Sequence, residues 1–207
     1  MLCVLGCLDT KYGKEIANEM LNWLKPEHSV LEIHQEPPGK LFEYPAINYV
    51  IRLAIDTNEP VLYVHTKGAG NPIPPQYKKY IINKNINVPE TATKQDCQKT
   101  VRNMWKHEFT GERLQDYLTV INTNKPTVVC PLTGIEKVTW QNGWIINPAA
   151  AKILRKSFHF DSNRYYYENL FSKTNINVIG MISNTCNRKD NLYLKKMWNI
   201  IWEFYDI

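Results

Sequence analysis

The stretch Val61–Leu62–Tyr63–Val64–His65–Thr66–Lys67–Gly68 carries the residue types best suited to chemistry in this chain. An apolar run passes directly into an imidazole, a hydroxyl, an ammonium group and a glycine. A lysine at a strand end can neutralise a diphosphate as a point charge, and amides freed by Gly68 and Gly70 can add donors. Three other segments hold comparable groups. Glu43 opens a predicted helix, where a carboxylate also suits the helix dipole. Asn142–Gly143 is a tight-turn dipeptide between Trp140 and Trp144, two rings able to wall a sugar or a base, or simply to fill a core behind a hairpin. In "NRYYYENLF", Glu168 has the chemistry of a general base and Arg164 that of a phosphate ligand, although on spacing alone a solvated helix face is the better reading.

The common catalytic templates are missing. No Gly-x-Gly-x-x-Gly follows the first apolar run, and there is no Walker loop, Gly-x-Ser-x-Gly elbow or His-Glu-x-x-His. His107–Glu108 has no second histidine at zincin spacing. The five cysteines (Cys3, Cys7, Cys97, Cys130 and Cys186) form no Cys-x-x-Cys pair, and no histidine lies near Cys3 and Cys7 in the sequence. They read as free buried thiols in a reducing compartment, and no metal site is expected.

The elements that must position these groups follow from periodicity. "MLCVLGCL" is a buried strand, and Ile16, Met20, Leu21 and Leu24 mark a helix that Pro26 stops. "SVLEIHQ" alternates as a second strand. Pro45 suits the first turn of a second helix with Ile47, Val50, Ile51, Ala54 and Ile55 on one face. "VLYVHTKG" is the third strand, so residues 1–70 read strand–helix–strand–helix–strand. This predicts a parallel sheet with right-handed crossovers, whose ligands bind beyond the carboxyl ends of the strands. A proline-rich loop spans 71–95. One helical stretch over 97–126 then presents Val101, Met104, Trp105 and Phe109 inward. "TVVCPL" is a strand, and "TWQNGWII" is another that enters a helix at Pro148 with Asn147 as its cap. "NRYYYENLF" is a helix, "INVIGMI" the last strand, and an amphipathic helix closes the chain over 186–207.

At 207 residues the chain fits one full α/β domain. Its formal charge of +5 is compatible with an anionic ligand, but the lysines and arginines are scattered, which argues against nucleic acid as a partner. Twelve tyrosines and six tryptophans suggest aromatic surfaces suited to sugars or bases as well as to a core. The N-terminus has no signal-peptide pattern and no apolar run reaches membrane-spanning length, so a soluble cytoplasmic protein is expected. The closing helix has aromatics that pack internally, pair with a second subunit or lean on a membrane surface; internal packing is the default reading.

Taken together, "FEYPAINYVIRLA", "VLYVHTKGAG", "VRNMWKHE", "QNGWIINPAAAKIL" and "NRYYYENLF" resemble small bacterial glycosyltransferase-like proteins of polysaccharide biosynthesis, with a GT-A-type fold. The resemblance covers roughly residues 1–185. It implies one α/β domain with a mostly parallel central sheet flanked by helices: a nucleotide-binding half over 1–70, the loop 71–95, an acceptor-side half over 96–185 and the terminal helix. It also implies a nucleotide-sugar donor, a glycan acceptor and no tightly bound cofactor. His65, Thr66, Lys67 and Gly68 would border the donor diphosphate. Asn142, Gly143 and Trp144 would lie near the transferred sugar, and Glu168 would be the base, with Arg164 and Arg102 secondary phosphate ligands. Such transferases commonly carry Asp-x-Asp after this strand to hold a divalent metal, and this chain has none. His65 and Lys67 stand at the corresponding place, which implies donor binding without a metal. The alternative is a non-catalytic nucleotide- or glycan-binding relative of the same fold.

Overall fold

The computed structural model describes residues 1–35, 43–66, 94–134, 137, 139, 143–161 and 165–186. The described residues form six strands and six helices, in the order β1 (Leu2–Leu8), α1 (Lys11–Leu24), β2 (Ser29–Gln35), α2 (Tyr44–Thr57), β3 (Val61–His65), α3 (Lys94–Glu108), α4 (Gly111–Ile121), β4 (Thr127–Gly134), β5 (Trp144–Ile146), α5 (Pro148–Arg155), α6 (Tyr165–Glu168) and β6 (Asn177–Cys186). The strands form one sheet in the order β2-β1-β3-β5-β4-β6. The first half is a parallel β1–α1–β2–α2–β3 unit, with β1 between β2 and β3.

The sheet as a whole is mixed, and the expectation of a mostly parallel one is corrected here. β5 pairs antiparallel with both β3 and β4, while β4 and β6 are parallel. The physical reason lies in the connection from β4 to β5. It is too short for a helical crossover, so the chain returns beside β4 in the opposite direction, aided by a Thr133–Thr139 antiparallel bridge.

Alternation along the strands divides the core into two layers. Cys3, Leu5, Cys7, Leu62 and Val64 pack under α1, α3 and α4 with Ile16, Met20, Leu24, Met104, Trp105 and Tyr117. Val4, Val61, Tyr63, Cys130 and Trp144 face the other way, against Ile47, Val50 and Ile51 of α2 and Ala150, Leu154, Tyr167 and Phe171 further on. The apolar stripes read from the sequence on α1 and α2 are the faces that bury. Burial of each large aliphatic side chain contributes about 1.5–3 kcal/mol.

The single helical stretch expected over 97–126 is two helices. α3 ends at Glu108, Thr110 is extended, and Gly111, the first residue of α4, has φ +57, a left-handed conformation that interrupts the right-handed turns. Across this break Glu108 is buried and accepts from Tyr117 Oη at 2.8 Å and from Arg113 Nη2 at 2.8 Å. The carboxylate therefore ties α3 to α4. The capped start of α5 agrees with its sequence: Asn147 Oδ1 accepts from Ala150 N at 2.9 Å, and Pro148 occupies the first turn. The "YYYE" helix is one short turn, and the expected closing helix over 186–207 lies almost wholly outside the described residues.

Candidate functional site

Because β5 runs against its neighbours, its first residue, Trp144, stands at the same sheet edge as the carboxyl ends of β1 and β3. That edge gathers His65, Thr66, Gly143 and the start of α2. Glu43 sits at the N-cap of α2 but makes no side-chain capping bond. Its carboxylate turns to β3 instead: Tyr63 Oη donates to Oε2 at 3.1 Å, and His65 Nε2 lies 3.8 Å from Oε1. Burial, with the Glu43 charge adding to it, raises the Tyr63 hydroxyl well above its ordinary pKa. Tyr63 stays a neutral donor.

The His65 ring is held between the two layers. Tyr63 lies near-parallel to it at 6.0 Å between centroids, and Trp105 is tilted at 5.5 Å. Its side chain keeps 16% exposure and that of Glu43 keeps 21%, while the His65 Nε2 that faces Glu43 is itself buried. A histidine so oriented, beside a carboxylate, can donate to an anionic ligand or move a proton.

Thr66 is buried and serves the ladder. Its N–H donates to Gly6 O at 2.8 Å, and its Oγ1 accepts from Leu8 N at 3.2 Å. It thus locks the ends of β1 and β3 together just before Lys67. Lys67, Gly68, Asn142 and Arg164 lie outside the described residues, as does the loop 71–95 apart from the start of α3. For Glu168 the backbone alone is described, as the last residue of α6.

Gly143 has a steric role. A Cβ there would lie 2.6 Å from Cε2 of Trp105 and closer still to its Nε1. Trp105 and Trp144 are fully buried, and their indole N–H groups have no hydrogen-bond partner among the described residues. Trp144 packs at 4.9 Å from Tyr63 and edge-on to Phe171 at 5.5 Å. Of the two readings of this segment, core-filling rings describe Trp144, and no part of it is exposed. Arg102 is also interior: its guanidinium meets Glu19 at 3.3 Å and joins α3 to α1.

Sequence reasoning missed the groups around His65. Glu43 reads in sequence as a helix start with a candidate ligand role and Trp105 as a core position, but neither is connected there to His65, because that link is tertiary. It also missed an aromatic ledge beginning at Tyr44. Tyr44 stacks on Phe158 at 5.1 Å and meets Phe160 edge-on at 5.9 Å, and Tyr166 continues the row at 6.4 Å from Phe158. Phe160 is 43% exposed. The signal available in sequence was the aromatic content of "FHFDSNRYYY", with nothing to show that it meets the start of α2.

No family model, curated protein or solved structure matches this chain. The site's chemistry therefore has to be argued from its own residues. Among the described residues, no helix is long and apolar enough to cross a membrane.

Proposed function

We propose that the protein is a cytoplasmic glycosyltransferase of GT-A type, acting in polysaccharide assembly by moving a sugar from a nucleotide-sugar donor to a glycan acceptor. The observation that carries the reading is His65, partly exposed at the carboxyl end of β3 and fixed by Glu43, Tyr63 and Trp105. Lys67 and Gly68 follow in the sequence. In a sheet with parallel β1–β3 this edge is where a ligand diphosphate is best placed. In this proposal His65 and Lys67 offset the diphosphate charge directly, with amides of the glycine-containing segment adding donors.

The ledge of Tyr44, Phe158 and Phe160 supplies apolar faces against which a sugar ring can stack, and it starts one residue from Glu43. Glu168 remains the proposed base, taking the proton from the acceptor hydroxyl as it attacks the anomeric carbon. Asn142 and Arg164 are proposed to border the sugar and the leaving phosphate. Hard cations such as Mg²⁺ and Mn²⁺ are held in such transferases by Asp-x-Asp; this strand ends in His65 and Lys67 instead, and the nearby Glu43 carboxylate is engaged by Tyr63, so donor binding is proposed to be independent of them.

Titration with UDP-, GDP- and dTDP-sugars, followed by hydrolysis and transfer assays, tests the proposal. The expected outcome is binding of one donor class, at least tenfold weaker in Lys67→Met, with turnover lost in Glu168→Gln. Binding lost with a chelator and restored by Mn²⁺ or Mg²⁺ would overturn the metal-independent assignment. Binding without turnover across glycan acceptors would instead identify a nucleotide- or glycan-binding domain.

A further inference from the structure

The strand register brings together three side chains that are distant in the sequence. Cys7 of β1 lies directly opposite His34 of β2, and Glu32 shares the face of His34 two residues earlier. The Cys7 Sγ, a Glu32 carboxylate oxygen and an imidazole nitrogen of His34 all lie within 4.8 Å of one another. His34 Nε2 is 3.3 Å from Glu32 Oε2. We propose that Cys7, Glu32 and His34 form a binding site for a divalent cation of borderline softness, with Zn²⁺ the best match and water as the fourth ligand. The site is independent of the donor site proposed above.

Geometry and ligand chemistry both favour this assignment. A tetrahedral zinc with Zn–S of about 2.3 Å and Zn–N or Zn–O of about 2.0 Å separates its ligand atoms by roughly 3.3–3.6 Å. The His34–Glu32 distance already meets that requirement. The other separations are at most 4.8 Å, so they close by no more than about 1.2 Å, which a rotamer adjustment of the two outer side chains supplies. They are free to make it, because His34 is 46% and Glu32 31% exposed at the sheet edge. Cys7, the inner ligand, is fixed at 1% exposure. A thiolate with an imidazole selects against Mg²⁺ and Ca²⁺, which take oxygen ligands.

On binding, the dication replaces the Cys7 thiol proton, which leaves to water, and Glu32 becomes a co-ligand of the same ion. The bound ion pins the carboxyl end of β2, an edge strand, to β1. Sequence inspection found no histidine near Cys7; pairing across the sheet provides one.

The test uses the full chain, without an affinity tag, stripped of metal and titrated with Zn²⁺ by calorimetry and with Co²⁺ by absorption. The expected result is one ion per chain, a raised Tm with Zn²⁺ and a thiolate-to-cobalt charge-transfer band. His34→Gln and Glu32→Gln should each weaken Zn²⁺ binding at least tenfold, and Cys7→Ser should lose the band. Should Cys7→Ser fail to fold, the two exposed variants decide. The assignment is overturned by absence of saturable binding, by a band that persists in Cys7→Ser, or by affinity unchanged in His34→Gln and Glu32→Gln.

Discussion

At the residue scale, Glu43 shows how magnitudes separate two explanations of one carboxylate. A charge at a helix N-terminus is worth about 0.3–1 kcal/mol when exposed. Glu43 also accepts from the buried Tyr63 hydroxyl, and an orphaned buried donor costs about 1–3 kcal/mol. Glu43→Ala should therefore lose more stability than the dipole accounts for, about 2 kcal/mol by urea denaturation. A loss under 0.5 kcal/mol would leave the Tyr63 bond without weight. Gly143 offers a second case. Gly143→Ala forces a methyl group into the Trp105 indole, and overpacking of this kind costs about 1–3 kcal/mol. A Gly143→Ala protein with unchanged Tm would refute that contact.

At the scale of elements, Asn147 joins three segments. Its Oδ1 caps α5 at Ala150 N and also accepts from Thr127 N at 3.1 Å, while Nδ2 donates to Lys125 O at 2.7 Å and Thr123 O at 3.1 Å. The sequence showed the cap, since Asn before Pro at a helix start is a local signal. It could not show the bonds to the turn before β4, which exist only because β5 returns beside β4. A cap alone is worth about 0.5–2 kcal/mol, and the bonds lost at the buried Thr127 N–H and at the Thr123 carbonyl add to it. Asn147→Ala is expected to lose about 3 kcal/mol in chemical denaturation, and Asn147→Ser or Asn147→Asp to recover part of it. Full recovery by Asn147→Ser would show that the cap is the whole role. The break between α3 and α4 is the reverse case: Gly111 stood in plain view, but the helical pattern ran across it and hid the turn.

For the whole molecule, His28 links the α1–β2 turn to the end of α3. It is buried, its Nε2 lies 2.8 Å from Phe109 O, and its Nδ1 has no partner among the described residues. The Nε2–H must donate to that carbonyl, so the neutral tautomer fits and a second proton would be buried without an acceptor. Burial lowers its pKa from 6.5, with the Met1 ammonium adding to the shift and Glu27 and the Phe109 bond opposing it. The unfolded chain then binds more protons than the folded one below the unfolded pKa. The stability from neutral His28 is fully present above about pH 6.5 and is lost progressively as pH falls toward the lowered folded pKa. Denaturation midpoints should drop as pH falls below about 6.5, and His28→Gln should flatten that slope. An equal slope in His28→Gln would assign the effect to another group.

Local patterns in the sequence were enough to determine the strands of the first half, the buried faces of α1 and α2, the cap of α5 and the arrival of His65 at a strand end. Each depends on neighbours within a turn or two of chain, where periodicity and capping act. The tertiary structure decided the direction of β5, the burial of Trp144 and Arg102, the ring of contacts around His65 and the meeting of Cys7 with His34. Those depend on which strands lie side by side and in what register. Register is set by the packing of whole faces, a property that no single segment carries.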